Sequence, residues 1–232
     1  MIYSMMSSAS SSKSVFISRR LSSQSPFHHL AKQGISIYDA SLIAIDLLDF
    51  KIEQEYEAVF FYSRTAIRHF FEKGDYRSNI QYGVMGQPSA DAFENSCGYC
   101  PDIIGGGNLD LLCQQLQKDW ATKKILFPQA NVSLRTVESR LQYLHCIPLV
   151  IYNNTVKKDI EVPETNIALL TSPMNAEAYL SKYNITDKVV MAIGATTANY
   201  IQNETGLDVP YCKRPSMNSL YELLLDYLNT EG

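Results

Sequence analysis

The chain has 232 residues, 46% of them hydrophobic and 19% charged, which suits one large domain or two of modest size and excludes wholesale disorder. No uncharged apolar run approaches the ~20 residues that a membrane helix needs, so a membrane-embedded protein is excluded as well. Twenty Lys and Arg against 24 Asp and Glu leave a net charge of -4, and no basic field is available to hold nucleic acid.

Residues 1–13 are Ser-rich without a periodic apolar face and read as a mobile tail. The acid-free stretch up to Tyr38 shares its composition with organelle transit peptides, but residues 15–17 (Val-Phe-Ile) read as a first buried strand, and no apolar core of a secretory signal is present. His28 and His29 fall in a first helix beside Leu30, as packed or solvated side chains rather than ligands, and a second strand follows at 35–38. Residues 58–63 form an apolar run ending in Ser63. A helix with apolar spacing over 65–72, a strand entering Met85-Gly86 and a helix starting near Ser89 come next. Asn108 opens an amphipathic helix, with strands following at 125–128 and 147–152.

From residue 167 the plan repeats. An apolar run ends in Thr171-Ser172, a helix covers 175–183, a strand at 189–193 enters Gly194, and a helix starts at Thr196 or Thr197. Ser63 and Gly86 are 23 positions apart, Ser172 and Gly194 are 22 apart, and Asn218 opens a closing helix as Asn108 does. Strands that alternate with helices and are apolar throughout imply parallel sheets covered on both faces. The expected fold is therefore α/β, with two doubly wound units. In such sheets ligands sit beyond the carboxyl ends of the strands, where glycine turns expose helix N-terminal amides.

The hydroxyls of Ser63, Ser89, Ser172, Thr196 and Thr197 all lie just after strand-like runs. Each is an ordinary N-cap residue worth ~1 kcal/mol, and recurrence at matching places in both halves is what points beyond capping. Neutral donors arranged in this way suit a carboxylate-rich ligand. No G-x-S-x-G elbow, P-loop lysine or G-x-G-x-x-G is present. The five cysteines are odd in number and scattered, as reduced thiols would be. Cys97-Gly-Tyr-Cys100 lacks a second ligand pair for zinc, and Pro101 with Gly105-Gly106-Gly107 puts it in a loop. With no metal and no cofactor motif, the site is built to shape a reactive substrate.

These residues resemble the uroporphyrinogen-III synthase family over about residues 14–228. The resemblance rests on Phe61-Tyr62-Ser63-Arg64-Thr65-Ala66, its second copy Leu170-Thr171-Ser172-Pro173, the Val-Met-Ala-Ile-Gly-Ala-Thr-Thr-Ala stretch at 190–198, Gly206, and Arg214-Pro215-Ser216. It implies two doubly wound parallel-sheet lobes joined by two linker strands: lobe one from 14–38 plus 157–232, lobe two from 45–148, linkers at 39–44 and 149–156. It also implies that Tyr152 faces the cleft from the second linker, that Thr197 begins a helix there, and that Ser63, Ser89 and Ser172 are rim hydroxyls. Arg19 stands at the usual first-strand arginine, with Arg20 where a proline is common. Arg64 alone represents the arginine of the other rim, and Met85-Gly86-Gln87-Pro88-Ser89-Ala90 departs from the family's Val-Gly-x-x-Thr-Ala.

The implied substrate is hydroxymethylbilane, a linear tetrapyrrole bearing carboxylates on every ring, cyclised with loss of water and inversion of ring D to uroporphyrinogen III. Arg19, Ser63, Arg64, Gly86, Ser89, Ser172, Gly194, Thr196 and Thr197 would bind it, and Tyr152 would donate a proton to the departing hydroxyl. A phenol, with an ordinary pKa of ~10, keeps that proton at neutral pH. The family picture is a cytoplasmic monomer without metal or cofactor, in transient contact with the preceding bilane-forming enzyme. The rival from another class is a two-lobed protein that binds a small anionic or tetrapyrrole ligand without chemistry.

Overall fold

A computed structural model describes residues 13–74 and 76–230, and the serine-rich segment 1–12 lies outside them. In chain order the first elements are β1 (Ser14–Ile17), α1 (His28–Ala31), β2 (Ser36–Asp39), β3 (Ile43–Leu47), β4 (Ala58–Phe61) and α2 (Arg64–Lys73). Next come β5 (Gln81–Val84), α3 (Gln87–Cys97), β6 (Ile103–Ile104), α4 (Leu109–Asp119), β7 (Lys124–Ala130), a 3-10 turn at Glu138–Arg140 and β8 (His145–Val156). The chain closes with β9 (Ile167–Leu170), α5 (Pro173–Leu180), β10 (Val189–Ala192), α6 (Ala195–Thr205) and α7 (Met217–Thr230).

Two compact units result, one from the residues through Ala44 together with those from Val156 onward, the other from Ile45–Thr155. The first holds a four-stranded sheet in the order β10-β9-β1-β2, with every pairing parallel. The other sheet has the order β3-β8-β7-β4-β5-β6, and its pairings from β8 to β6 are parallel. The fold is therefore mixed α/β with parallel sheets, as the apolar runs imply. β4 and β9 are buried at every residue because each lies between neighbours and under helices on both faces.

Alternation along the strands divides each core into two. In the Ile45–Thr155 unit, Val59 and Phe61 pack with Phe70, Tyr82 and Phe93 on one face, while Ala58 and Phe60 pack with Leu116, Trp120 and Phe127 on the other. In the other unit, Phe16, Ala168 and Leu170 meet Tyr179 on one face, and Val15, Ile17 and Leu169 meet Leu30, Leu220 and Leu224 on the other.

The internal echo extends to how α3 and α6 begin and end. Both have 11 residues, both start at an extended glycine (Gly86, Gly194), and both end at a left-handed one, Gly98 at φ 80° and Gly206 at φ 75°. Two expectations are corrected. Cys97 is the last residue of α3 rather than part of a loop, because Gly98, not Pro101, ends the helix. The closing helix starts at Met217, and its first turn is capped by Ser216, whose Oγ accepts from Ser219 N–H at 3.0 Å, so Asn218 lies inside it.

Candidate active site

The strand-to-helix corner after β4 brings two hydroxyl side chains together, Ser63 and Tyr152. Ser63 is extended at φ -144° and caps α2, its Oγ accepting from Ala66 N–H at 3.1 Å. The same oxygen lies 2.9 Å from Tyr152 Oη. Tyr152 arrives from β8 through an irregular register: Gln129 pairs with Val150, but Ala130 pairs with Tyr152, leaving Ile151 as an extra residue. Such a bulge re-aims side chains. Ile151 and Tyr152 are consequently both buried in one cluster, at 0% and 7% exposure, where strict alternation would have turned one of them away. Asn131 holds the new register, its N–H donating to Tyr152 O at 3.0 Å and its Oδ1 accepting from Asn154 N–H at 2.9 Å. Arg64, the first residue of α2, is exposed, and its side chain makes no hydrogen bond or ion pair among the described residues.

Gly86, rather than Ser89, occupies the cap position of α3, and Gly194, rather than Thr196 or Thr197, that of α6. Ser89 and Thr197 sit three residues in, buried, with their amides bonded back to the glycine carbonyls at 2.9 and 3.1 Å. Thr196 is exposed. The open donors of α6 are thus the amides of Ala195 and Thr196. Their counterparts in α3 are Gln87 and Pro88, and proline has no N–H. The α3 corner therefore offers an anion one fewer backbone donor.

In the other unit, Ser172 caps α5, accepting from Asn175 N–H at 3.1 Å and from Asn175 Nδ2 at 3.0 Å. Asn175 Oδ1 in turn accepts from the buried Leu42 N–H at 2.9 Å. Ser63 and Ser172 are equivalent corners with different partners, a tyrosine in one and an asparagine in the other. Gly194 also has a packing reason, since a Cβ there would lie 2.7 Å from Pro215 Cγ. Arg19 is exposed just past β1, its amide bonded to Ile17 O at 2.7 Å.

Several organising residues carry no motif. Ser18 and Thr171, both buried, clasp the ends of β1 and β9: Thr171 N–H donates to Ser18 Oγ at 2.8 Å, and Thr171 Oγ1 donates to Ser18 O at 3.0 Å. Tyr62, next to Ser63, is fixed by the N–H groups of Val137 and Glu138 at 3.0 and 3.2 Å and donates to Glu138 Oε2 at 3.3 Å. Burial pushes the Tyr62 phenol well above its ordinary range, raises the Glu138 carboxyl, and pushes the Cys146 thiol up to about 11. Tyr62 and Thr171 stand one step before the capping serines Ser63 and Ser172, whereas Ser18 and Glu138 have no sequence signal at all.

Each parallel sheet thus presents, past the carboxyl ends of its strands, a rim of hydroxyls and first-turn amides, and one rim carries a tyrosine bound to a capping serine. Among the described residues no three His, Cys, Asp or Glu side chains gather to hold a metal. The chain is thus an α/β protein of two units, each with neutral donors beyond the carboxyl ends of its parallel strands.

The family model described as uroporphyrinogen-III synthase HemD matches residues 28–222, and the chain belongs to that family. Among solved structures, the uroporphyrinogen-III synthetase of Helicobacter pylori superposes with a TM-score of 0.68 at 18% identity, over 93% of this chain and 99% of that one. A mutant uroporphyrinogen III synthase of Thermus thermophilus gives 0.63 at 15% identity, over 94% of this chain and 100% of that one. At such identities the likeness is one of fold. A comparison with curated proteins finds no match.

Proposed function

We propose that this protein cyclises hydroxymethylbilane to uroporphyrinogen III, with Tyr152 as the acid that releases the terminal hydroxyl. The observation that carries the assignment of Tyr152 is its 2.9 Å contact with Ser63, at the carboxyl end of a parallel sheet in a chain of this family. Tyr152 Oη gives its proton to the departing hydroxyl, which leaves as water, and the terminal methylene becomes an azafulvene. The substituted carbon of ring D attacks that methylene to give a spiro intermediate. Breaking the older bond to ring D and re-forming it at the free α carbon on the other side of the ring nitrogen reverses the ring, and loss of the proton on that carbon restores the pyrrole. The tyrosinate then takes a proton back.

An electron-rich pyrrole already expels its hydroxyl readily. The protein therefore contributes mainly by holding the chain in the geometry that favours spiro attack over direct closure. The carboxylates are held locally, because exposed charges beyond ~8 Å are largely screened at physiological ionic strength and the net charge of -4 is no obstacle. The donors are the first-turn amides after Gly86 and Gly194, the hydroxyls of Ser89, Ser172, Thr196 and Thr197, and the guanidinium groups of Arg19 and Arg64. Each helix terminus favours an anion by roughly 0.3 to 1 kcal/mol. Lobes at 14–38 plus 157–232 and 45–148, with linkers at 39–44 and 149–156, belong to the same reading. So do a monomer, a brief contact with the enzyme that supplies the unstable bilane, and a cytoplasmic location. The five free cysteines accord with a reducing compartment, and no helix among the described residues is long and apolar enough to cross a membrane.

Turnover tests the proposal. With enzymatically generated bilane supplied and the cyclic isomers separated, the III isomer should dominate in the presence of protein and the I isomer in its absence. Binding of tetrapyrrole with an unchanged isomer ratio would make this a binding protein and overturn the enzymatic reading.

A further inference from the structure

We propose that Ser63 is a positioning residue that donates its hydroxyl proton to Tyr152 Oη, directing the tyrosine's own proton outward to the substrate. The inference rests on Tyr152 being the acid, and it moves Ser63 from a substrate contact to a partner of the acid.

A serine hydroxyl has one proton and two lone pairs. One lone pair of Ser63 Oγ is taken by Ala66 N–H at 3.1 Å, and Tyr152 Oη lies 2.9 Å away. Two polarities fit that distance. Were Tyr152 the donor, its proton would point at Ser63 and have to leave that bond before each turnover. With Ser63 as donor, the phenol accepts one bond and keeps its proton for the solvent or substrate side. The amide bond into Ser63 favours this second arrangement, because donation into an oxygen polarises the O–H it carries. A relay results, from Ala66 N–H to Ser63 Oγ, from Ser63 O–H to Tyr152 Oη, and from Tyr152 O–H to the leaving hydroxyl. Once the proton has gone, the serine donates to a tyrosinate, and a hydrogen bond to a charged oxygen is about twice as strong as one between neutral groups.

The geometry around the pair is built rather than incidental. Two devices fix the serine and the tyrosine: the cap on α2, and the bulge at Gln129/Ala130, whose register the bond from Asn131 N–H to Tyr152 O holds at 3.0 Å. The equivalent serine of the other unit makes the contrast. Ser172 accepts two bonds from Asn175, at 3.1 and 3.0 Å, and among the described residues makes no hydrogen bond to a tyrosine. A cap alone is satisfied there by a neighbour in the same helix. In the Ile45–Thr155 unit the equivalent position is Ala66, whose methyl offers no hydrogen bond, and a tyrosine from 89 residues away fills the place.

Capping and donation can be separated, because glycine is tolerated at N-caps but has no hydroxyl, whereas threonine supplies both. Ser63→Gly should lower kcat for the III isomer about ten-fold or more with KM little changed, and Ser63→Thr should restore most of it. In a Tyr152→Phe background, Ser63→Gly should cost nothing further in kcat. A multiplicative loss there, or a rise in KM alone, would make Ser63 a substrate contact and overturn the proposal. The tyrosine ring carbon bearing the hydroxyl, labelled with 13C and assigned by Tyr152→Phe, should shift in Ser63→Gly and not in Ser63→Thr without substrate. A resonance that ignores Ser63→Gly would remove the contact itself. A wild-type protein that makes no III isomer while this resonance responds would instead count against the enzymatic reading.

Discussion

Asn175→Ala removes a side chain that satisfies two groups at once, which makes its cost calculable. Asn175 is 8% exposed; its Oδ1 accepts from Leu42 N–H at 2.9 Å and its Nδ2 donates to Ser172 Oγ at 3.0 Å. Leu42 is itself 3% exposed, so water cannot replace the lost acceptor. An orphaned buried amide costs ~1 to 3 kcal/mol, and the half-buried bond to Ser172 adds ~1 kcal/mol, for a total of about 2 to 4 kcal/mol. In urea, with a slope of roughly 1 to 3 kcal/mol per molar, the midpoint should fall by about 1 M or more. Far-UV circular dichroism follows both units, while the single tryptophan, Trp120, lies in the Ile45–Thr155 unit and reports that one alone. The loss should appear in the dichroism. If the units unfold separately, the fluorescence midpoint stays in place. Asn175→Asp keeps an acceptor for Leu42 and adds a negative charge in the first turn of α5, so it should recover most of the stability. An Asn175→Ala protein within ~0.5 kcal/mol of wild type would show that the Leu42 amide does not depend on this residue.

Gly194→Ala should destabilise by ~1 to 3 kcal/mol through collision with the Pro215 ring, and Pro215→Ala should relieve most of that loss in the double variant; additive losses in thermal melts would refute the contact. Burial raises the Glu138 carboxyl, so the native state holds this proton more tightly than the unfolded chain does. Its stabilising effect is complete below the ordinary carboxylate pKa and is lost as pH rises through the raised one. Glu138→Gln should therefore flatten the decline of stability on that side and change little at acid pH, as read from urea midpoints across pH. A thiol reagent at pH 8 should label the exposed Cys100 first and leave the half-buried Cys146, with its thiol pushed up to about 11, among the last with the buried Cys113 and Cys212; peptide mapping that finds Cys146 labelled early would contradict its desolvated setting.

The parallel α/β architecture was legible because β4 and β9 are apolar at every residue, a pattern that only strands covered on both faces sustain. The serines that follow them were legible as caps because an apolar run, a hydroxyl and helical spacing come in immediate succession. The caps of α3 and α6 were harder to place. Ser89 and Thr197 look like N-caps, but glycines three positions earlier already turn the chain, and the hydroxyls end up buried in the first turn. Ser216 and Asn218 compete within three residues, and only the bond from Ser219 N–H decides between them. The pairing of Ser63 with Tyr152 has no local signature at all. It depends on one extra residue, Ile151, in the register between β7 and β8, and on an asparagine whose role is set by that irregularity.

The account turns on Tyr152 as the proton donor, and the kcat of Tyr152→Phe for the III isomer measures this most directly. The bulge and the surrounding packing leave the phenylalanine ring where the tyrosine ring was, so the substitution removes only the hydroxyl. A fall of roughly 10²- to 10⁴-fold, with the I isomer replacing the III isomer among the products, is the outcome the account predicts. A variant as fast and as selective as wild type would contradict it.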